Sequence, residues 1–544
     1  MSNRAYIVFA AVVTATLLAA IPSYGQIEPN KPKHFTEVML GTIPNQIISI
    51  VRSPDQRHIA FISVENNKCQ VIVDGNAGPV YDIVGEGTLV FSPDSRRIAY
   101  AVLKDNKQSV IVDGTAGRGY DGVIKGSFVF SPDSRRTAYV ALKNNKQVVV
   151  VDGQEGLEYD NIMMGNIPIF SSDSNHIAYM VWKGGQRMVI VDGQAGQGYA
   201  DIRSVTFSSD SKRISYVARK TVKRQVIVDG NAGPEYNEIG KDSPIFSPDG
   251  KHIAYRARKD SKWQVILDGQ AGPEYDDISE GSLAFGPDSK HIVYAARNSN
   301  YKQMVIVDGQ AGPEYDIIRQ GPVLFSPDGK HITYVAKKDD KWYVVTDGNT
   351  GGAGYDGIRE GTPIFSSDSK HMAYAACKGS KWQVIVDNQP GPEYNNILED
   401  SPVVFSPDSN RIAYAAKSNY KLVVVTDGNA GAEYDDIKKG FPVFSPDSRH
   451  IAYMVQKSKK WRVVVDDNAG PEYDDIQADT LVFNSDSKHV IYAAIVGNKR
   501  IITVDDQEGP VAYDGIASFP AVCGEGFEMI APRGRMLYRV FWKP

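Results

Sequence analysis

An all-β repeat fold is predicted by three observations. A motif built on Phe-Ser-Pro-Asp returns every 37 to 40 residues. Each copy is rich in Val, Ile and Tyr, bounded by Gly, Pro, Asp and Asn, and shows no helical period. The copies follow one another without a linker from Ile47 to Ile516. One supersecondary unit per copy at such a period marks a repeat architecture rather than ordinary domains.

The copy at 246–285 shows how one unit is read. A first strand, Ser243-Pro-Ile-Phe246, ends at Ser-Pro-Asp-Gly, where Pro presets φ and the Ser and Asp side chains bond the turn backbone. The second strand begins at His252-Ile-Ala-Tyr255. A polar hairpin, Lys259-Asp-Ser-Lys262, leads into the third, Trp263-Gln-Val-Ile-Leu267. Asp268-Gly269 turns the chain, and Pro273-Glu-Tyr-Asp-Asp-Ile278 is read as the fourth. Apolar residues at successive positions imply sheets covered on both faces. Four-stranded antiparallel units of about 40 residues, packed face to face, are the blades of a β-propeller.

Twelve copies exceed the usual count of about four to eight blades. The expectation is therefore two tandem propellers, 47–281 and 282–544, divided by halving near Gly281. The tail offers Phe519-Pro-Ala-Val522, Gly526-Phe-Glu-Met-Ile530 and Arg535-Met-Leu-Tyr-Arg-Val-Phe541. These read as three strands of a thirteenth blade, with Phe35-Thr-Glu-Val-Met-Leu40 from the segment 26–46 as its fourth. Such a closure removes an exposed sheet edge.

The rhythm of Phe246-Ser-Pro-Asp-Gly-Lys-His-Ile-Ala-Tyr255 and Phe325-Ser-Pro-Asp-Gly-Lys-His-Ile-Thr-Tyr334 resembles the WD40-like repeats of the TolB-type β-propeller family of exported bacterial proteins. The resemblance spans the repeats and implies the propeller fold. TolB looks to carry a separate α/β domain before its propeller, and only about 25 residues stand there in this chain. The Glu-Tyr-Asp-Asp-Ile segment also replaces the basic type common in that family. A Tol-Pal envelope role is therefore not carried over.

The opening residues have Arg4, an apolar run from Tyr6 to Ala20, and the small residues Ser23 and Gly25. That is the layout of a secretory signal peptide, 1–25, so the mature chain is expected to be periplasmic or secreted. The run is short for a membrane span, which takes about 20 residues, and no later stretch is long and apolar enough. The net charge of −5 gives no reason to expect nucleic acid as a partner. Three scattered cysteines, Cys69, Cys377 and Cys523, make no disulfide framework.

The repeat absorbs most residues that would otherwise look chemical. Aspartates of both turns recur in every copy and are read as turn-formers, because no calcium-loop spacing is present. All but one of the nine histidines share the position of His252, which Arg97, Arg136, Arg213 and Arg411 fill elsewhere. Arg is not a metal ligand, so this position is read as a hydrogen-bond partner of the neighbouring turn. Two positions, those of Tyr255 and Tyr275, take most of the 29 tyrosines. No nucleophile elbow, zinc-protease helix or P-loop occurs. No catalytic, cofactor or metal residue is nominated. Cys523, Glu525 and His34 fall outside the repeat and are assigned to the closing segments.

One position does vary. Five residues before the second-turn Asp stand Trp263, Trp342, Trp382, Trp461, Arg187 and Arg224 in six of the copies. Large aromatic and Arg side chains beside a hairpin are the kind that anchor partners; packing between blades is the competing reading. Charge also separates, with Asp turns expected on one rim and Lys-rich hairpins on the other, an arrangement that would steer a charged partner. The expectation is an exported, non-enzymatic scaffold that binds a protein or polysaccharide of the envelope or exterior. The alternative is a propeller lyase or hydrolase with a site at a channel mouth.

Overall fold

The computed structural model describes residues 34–162, 167–321, 323–440 and 442–544. The expected signal peptide lies outside them. The described residues form thirteen antiparallel sheets of four or five strands and no helix. This is a β-propeller, as the repeats predict.

Blade seven (277–311) represents the rest. Its second strand, Ile292–Arg297, pairs with the third, Gln303–Val307, with Val293 opposite Val307. The third pairs in turn with a two-residue fourth strand, Gln310–Ala311. The first strand comes in two pieces, Asp277–Ile278 and Ala284–Phe285, both on the same second strand. This corrects the expected fourth strand at 273–278. Tyr275 still bridges to Trp263 of its own blade, but Asp277 and Ile278 already belong to the next. The crossover falls at Asp276, whose amide donates to the Arg297 carbonyl of blade seven at 3.0 Å.

A tight turn divides the two pieces of the first strand. The Ser282 hydroxyl donates to the Ser279 carbonyl at 2.7 Å and accepts from the Ala295 amide at 3.0 Å. A side chain thus supplies the ladder bond that the interrupted backbone cannot. Thr88 and Thr480 do the same in their blades. Blade five, the copy that follows the 37-residue spacing, lacks this turn. Its first strand, Asp201–Phe207, runs unbroken apart from a bulge between Arg203 and Thr206.

Neighbouring sheets pack through tyrosines. Tyr275 meets Tyr294 of the next blade edge-on, with ring centroids 6.2 Å apart, a geometry that favours aromatic pairs. Gly272 makes the approach feasible, since a Cβ there would meet the Val265 carbonyl at 3.2 Å and the Tyr294 hydroxyl at 3.8 Å. Fully buried alanines on the second strands, such as Ala375 and Ala376, keep the sheets close.

The shared cores run from each blade to the next through all twelve copies. The thirteenth sheet packs against blade twelve on one side and blade one on the other. The thirteen sheets therefore make one ring, not the two tandem propellers expected from the copy number. Across the expected division at Gly281, Tyr275, Ile278, Leu283 and Tyr294 lie in a single core. The reason is that successive copies present alike faces, so nothing shuts a smaller ring after six or seven of them. The ends alone supply a hybrid sheet.

That closing sheet is ordered Phe35–Thr42, Met536–Trp542, Gly526–Arg533, Ala521–Cys523, as the tail predicts. It is bound to blade one by charge as well as packing. Buried Glu528 faces Arg539 at 3.3 Å and Arg57 at 3.8 Å. Arg539 also reaches Asp74 at 2.9 Å, and Asp74 holds His58 at 2.6 Å. His34 bonds the Lys543 carbonyl at 2.9 Å and Glu525 accepts from Asn484 through its carbonyl at 2.7 Å, both within the closure. The three cysteines are free.

Candidate functional site: the two rims and the clefts between blades

The Ser-Pro-Asp turns and the Asp-Gly turns share one rim. In blade six the Ser247 hydroxyl donates to Asp249 at 2.6 Å and accepts from the His252 amide at 3.0 Å. Asp249 also takes the Lys251 amide at 3.1 Å. Donors on the charged form favour it, and the Ser247 hydroxyl foremost holds the Asp249 carboxyl down to about 2. The Asp249 amide then crosses to Ser289 of blade seven at 2.9 Å.

The His252 position is the second half of this staple. His252 Nδ1 bonds Asp268 at 2.7 Å, and the other oxygen of Asp268 accepts from the Ile253 amide at 2.9 Å. Where Arg97 replaces it, the guanidinium holds Asp113 at 2.7 Å and donates to the Ser134 and Arg135 carbonyls of the next blade. It also lies 5.4 Å over Phe130. The recurring Asp and His residues thus serve turns and blade contacts.

The opposite rim corrects the expected Lys-rich face. Lys460 pairs with Asp474 at 2.7 Å, and that carboxylate also accepts the Gly497 amide of the next hairpin at 2.7 Å. Lys107, Asp121 and the Asn144 amide repeat the arrangement at 2.6 and 2.8 Å; Lys262 and Asp276 pair likewise. In nine of the twelve copies the crossover sets the Asp after the blade tyrosine beside a hairpin Lys, so these lysines stand in a ladder of ion pairs.

The variable position sits between blades, and its residues meet the incoming first strand in different ways. Gln108 and Gln303 accept the Val123 and Ile318 amides at 2.7 and 2.6 Å. Arg187 and Arg224 converge on Asp201. Trp263, Trp342, Trp382 and Trp461 are half-buried against the shared cores. Each carries a cation over its ring: Arg256 at 5.0 Å, Arg319 at 5.2 Å, Arg359 at 4.2 Å and Lys438 at 4.6 Å.

Those cations escaped the sequence reading. Arg319 donates to the Ile358 carbonyl of the next blade at 2.6 Å, and Lys438 reaches Asp475 at 2.7 Å. Burial pulls the Arg319 and Arg359 guanidinia below their ordinary pKa. A signal was present: three of the four Trp copies carry a cation four residues after the preceding blade's tyrosine, and the Gln copies do not.

On the Ser-Pro-Asp rim, clefts open between neighbouring blades. One of about 630 Å³ lies between blades six and seven. Others of about 340 Å³ lie between seven and eight and between eleven and twelve. Each is lined by a His of one blade and by a Lys and an Asp of the next. Among the described residues no three His, Cys, Asp or Glu side chains gather as a metal-binding group, and no helix is long and apolar enough to cross a membrane.

No protein-family model matches the sequence, and no curated protein matches it. Solved structures similar to the chain include a eukaryotic initiation factor, at 13% identity over 70% of this chain and 96% of that one, with a TM-score of 0.32. The β-propeller domain of the Trilobed protease from Pyrococcus furiosus, described as an open velcro topology, matches at 12% over 49% and 94%, TM-score 0.23. TolB from Acinetobacter baumannii matches at 13% over 54% and 79%, TM-score 0.20. TolB and another propeller are thus among the similar chains, as the repeat motif implies.

Proposed function

We propose that this protein is an exported, non-enzymatic interaction scaffold, a rigid ring that presents repeated surfaces to a protein or polysaccharide in the periplasm or outside the cell. One observation carries the reading: the polar side chains that recur from copy to copy are engaged in holding turns and neighbouring blades together. Ser247, Asp249, His252 and Asp268 on one rim, and the Lys–Asp ladder on the other, stiffen the ring. What differs between copies is the lining of the surfaces between blades, where Trp263, Trp342, Trp382, Trp461, Arg187 and Arg224 lie. A rigid surface binds without an ordering cost. Export rests on the layout of residues 1–25.

The test pairs fractionation with capture. Full-length chain expressed in a bacterial host should appear in the periplasm or medium, shortened near Gln26. Purified mature protein, immobilised and exposed to envelope extract, should retain a defined partner that W342A/W382A loses. Cytoplasmic retention of the uncut chain would refute export. Turnover of a polysaccharide by the pure protein would refute the non-enzymatic reading.

A further inference from the structure

The largest described cleft lies where the repeat is broken. Ten of the twelve first turns have Ser after the strand; Gly286 and Asn484 are the departures. Two of the three clefts lie against those two turns, beside Lys290 and Lys488. Gly286 has no hydroxyl to give Asp288, so of the bonds seen at Asp249 only the amide from Lys290 remains, at 3.0 Å. The carboxylate keeps acceptor capacity that its counterparts have spent.

Around Asp288 the cleft between blades six and seven combines three kinds of surface. Val265, Leu267 and Tyr294 supply apolar carbon. Lys290 supplies a cation. His252 has Nδ1 committed to Asp268 at 2.7 Å, which leaves Nε2 without a partner among the described residues. An apolar wall with donors and acceptors of both charges suits a neutral polyol: its CH groups pack on carbon, and each hydroxyl both donates and accepts. A strongly charged ligand would meet one wrong sign whichever way it lay.

We propose that this cleft binds one sugar unit of a neutral polysaccharide, with Asp288 and the Nε2 of His252 accepting from ring hydroxyls and Lys290 donating to them. The adjoining cleft between blades seven and eight, which shares Asp308, takes a further unit of the same chain. Packed sheets repeat at about 10 Å, so a polymer with a regular repeat can meet clefts in succession. This inference rests on the scaffold reading and names the ligand of that scaffold.

The experiment is affinity electrophoresis of the purified mature protein through gels that contain β-glucan, mannan, galactan or dextran, with polygalacturonate as the anionic probe. At least one neutral polymer should retard the wild type. D288N and K290Q should each weaken that retardation tenfold or more, with unchanged thermal midpoints. D173N, at the same turn position in a blade that keeps its serine, should leave binding unaltered. Retardation by no polymer, by polygalacturonate alone, or equally in wild type and D288N overturns the proposal. A protein partner still captured in that case leaves the scaffold reading intact, so the two failures are separable.

Discussion

Ser247 shows how much one small side chain carries. It is buried, donates to Asp249 and accepts from His252. S247A removes both bonds and leaves the His252 amide without its acceptor, a loss of about 1–3 kcal/mol, to be read as a lower urea midpoint with an unchanged slope. Acid should act on the same turns. The folded pKa of Asp249 is depressed to about 2 from its ordinary 3.8, and those of Asp328 and Asp368 likewise. A depressed carboxyl contributes stability that is present above the unfolded value and is lost as pH falls through the folded one. The thermal midpoint should therefore fall between about pH 4 and pH 2. His291 runs the other way. Its pKa is raised chiefly by its bond to Asp308, so its contribution is complete below pH 6.5 and fades as pH rises through the raised value. H291Q should flatten that part of the profile.

The first strand of a blade depends on a residue outside any strand. Ser282 completes the ladder at the Ala295 amide. S282A should cost about 1–3 kcal/mol, whereas S282T should be near neutral because Thr88, Thr362 and Thr480 fill the same place. Equal midpoints for S282A and wild type in chemical denaturation would contradict this account. The fourth strand makes the complementary point. Its tyrosine belongs to one blade and the Asp-Ile that follows belongs to the next, so each crossover ties two sheets over a few residues. Even spacing and β-branched composition made four strands per unit legible. They could not show where the crossover falls, because pairing partners are a matter of register between segments distant in sequence.

Closure is a property of the whole ring. Residues 35–42 form the edge of a sheet whose other strands lie at the opposite end of the chain. Deleting 26–46 should expose the edge of Met536–Trp542, and size-exclusion chromatography with light scattering should then show association. E528A tests the charge network: Arg539 keeps Asp74 and Arg57 is part-exposed, so losing Glu528 should cost about 1–3 kcal/mol, visible in the denaturation midpoint. Negative-stain class averages should show one ring. Two smaller rings in a single particle would overturn the packing order described above.

The sequence by itself determined the repeat, the blade, the turn chemistry and the joining of the two ends, because these follow from period, residue type and local hydrogen bonding. It also assigned the recurring aspartates and the shared His/Arg position to turns, since a position filled alike from copy to copy serves what the copies have in common. The variable Trp and Arg positions were legible as singular, but their partners were not. Arg319 and Arg359 meet Trp342 and Trp382 only after sheet pairing sets first and third strands on either side of the second. The tertiary structure alone decided the number of rings, the pairing of hairpin lysines with aspartates from the crossover, and the clefts beside Gly286 and Asn484. Each of these depends on how one blade is set against the next. Copies with nearly identical faces state that they will stack, but the angle between them, and so the ring they close, is settled only when the sheets are packed.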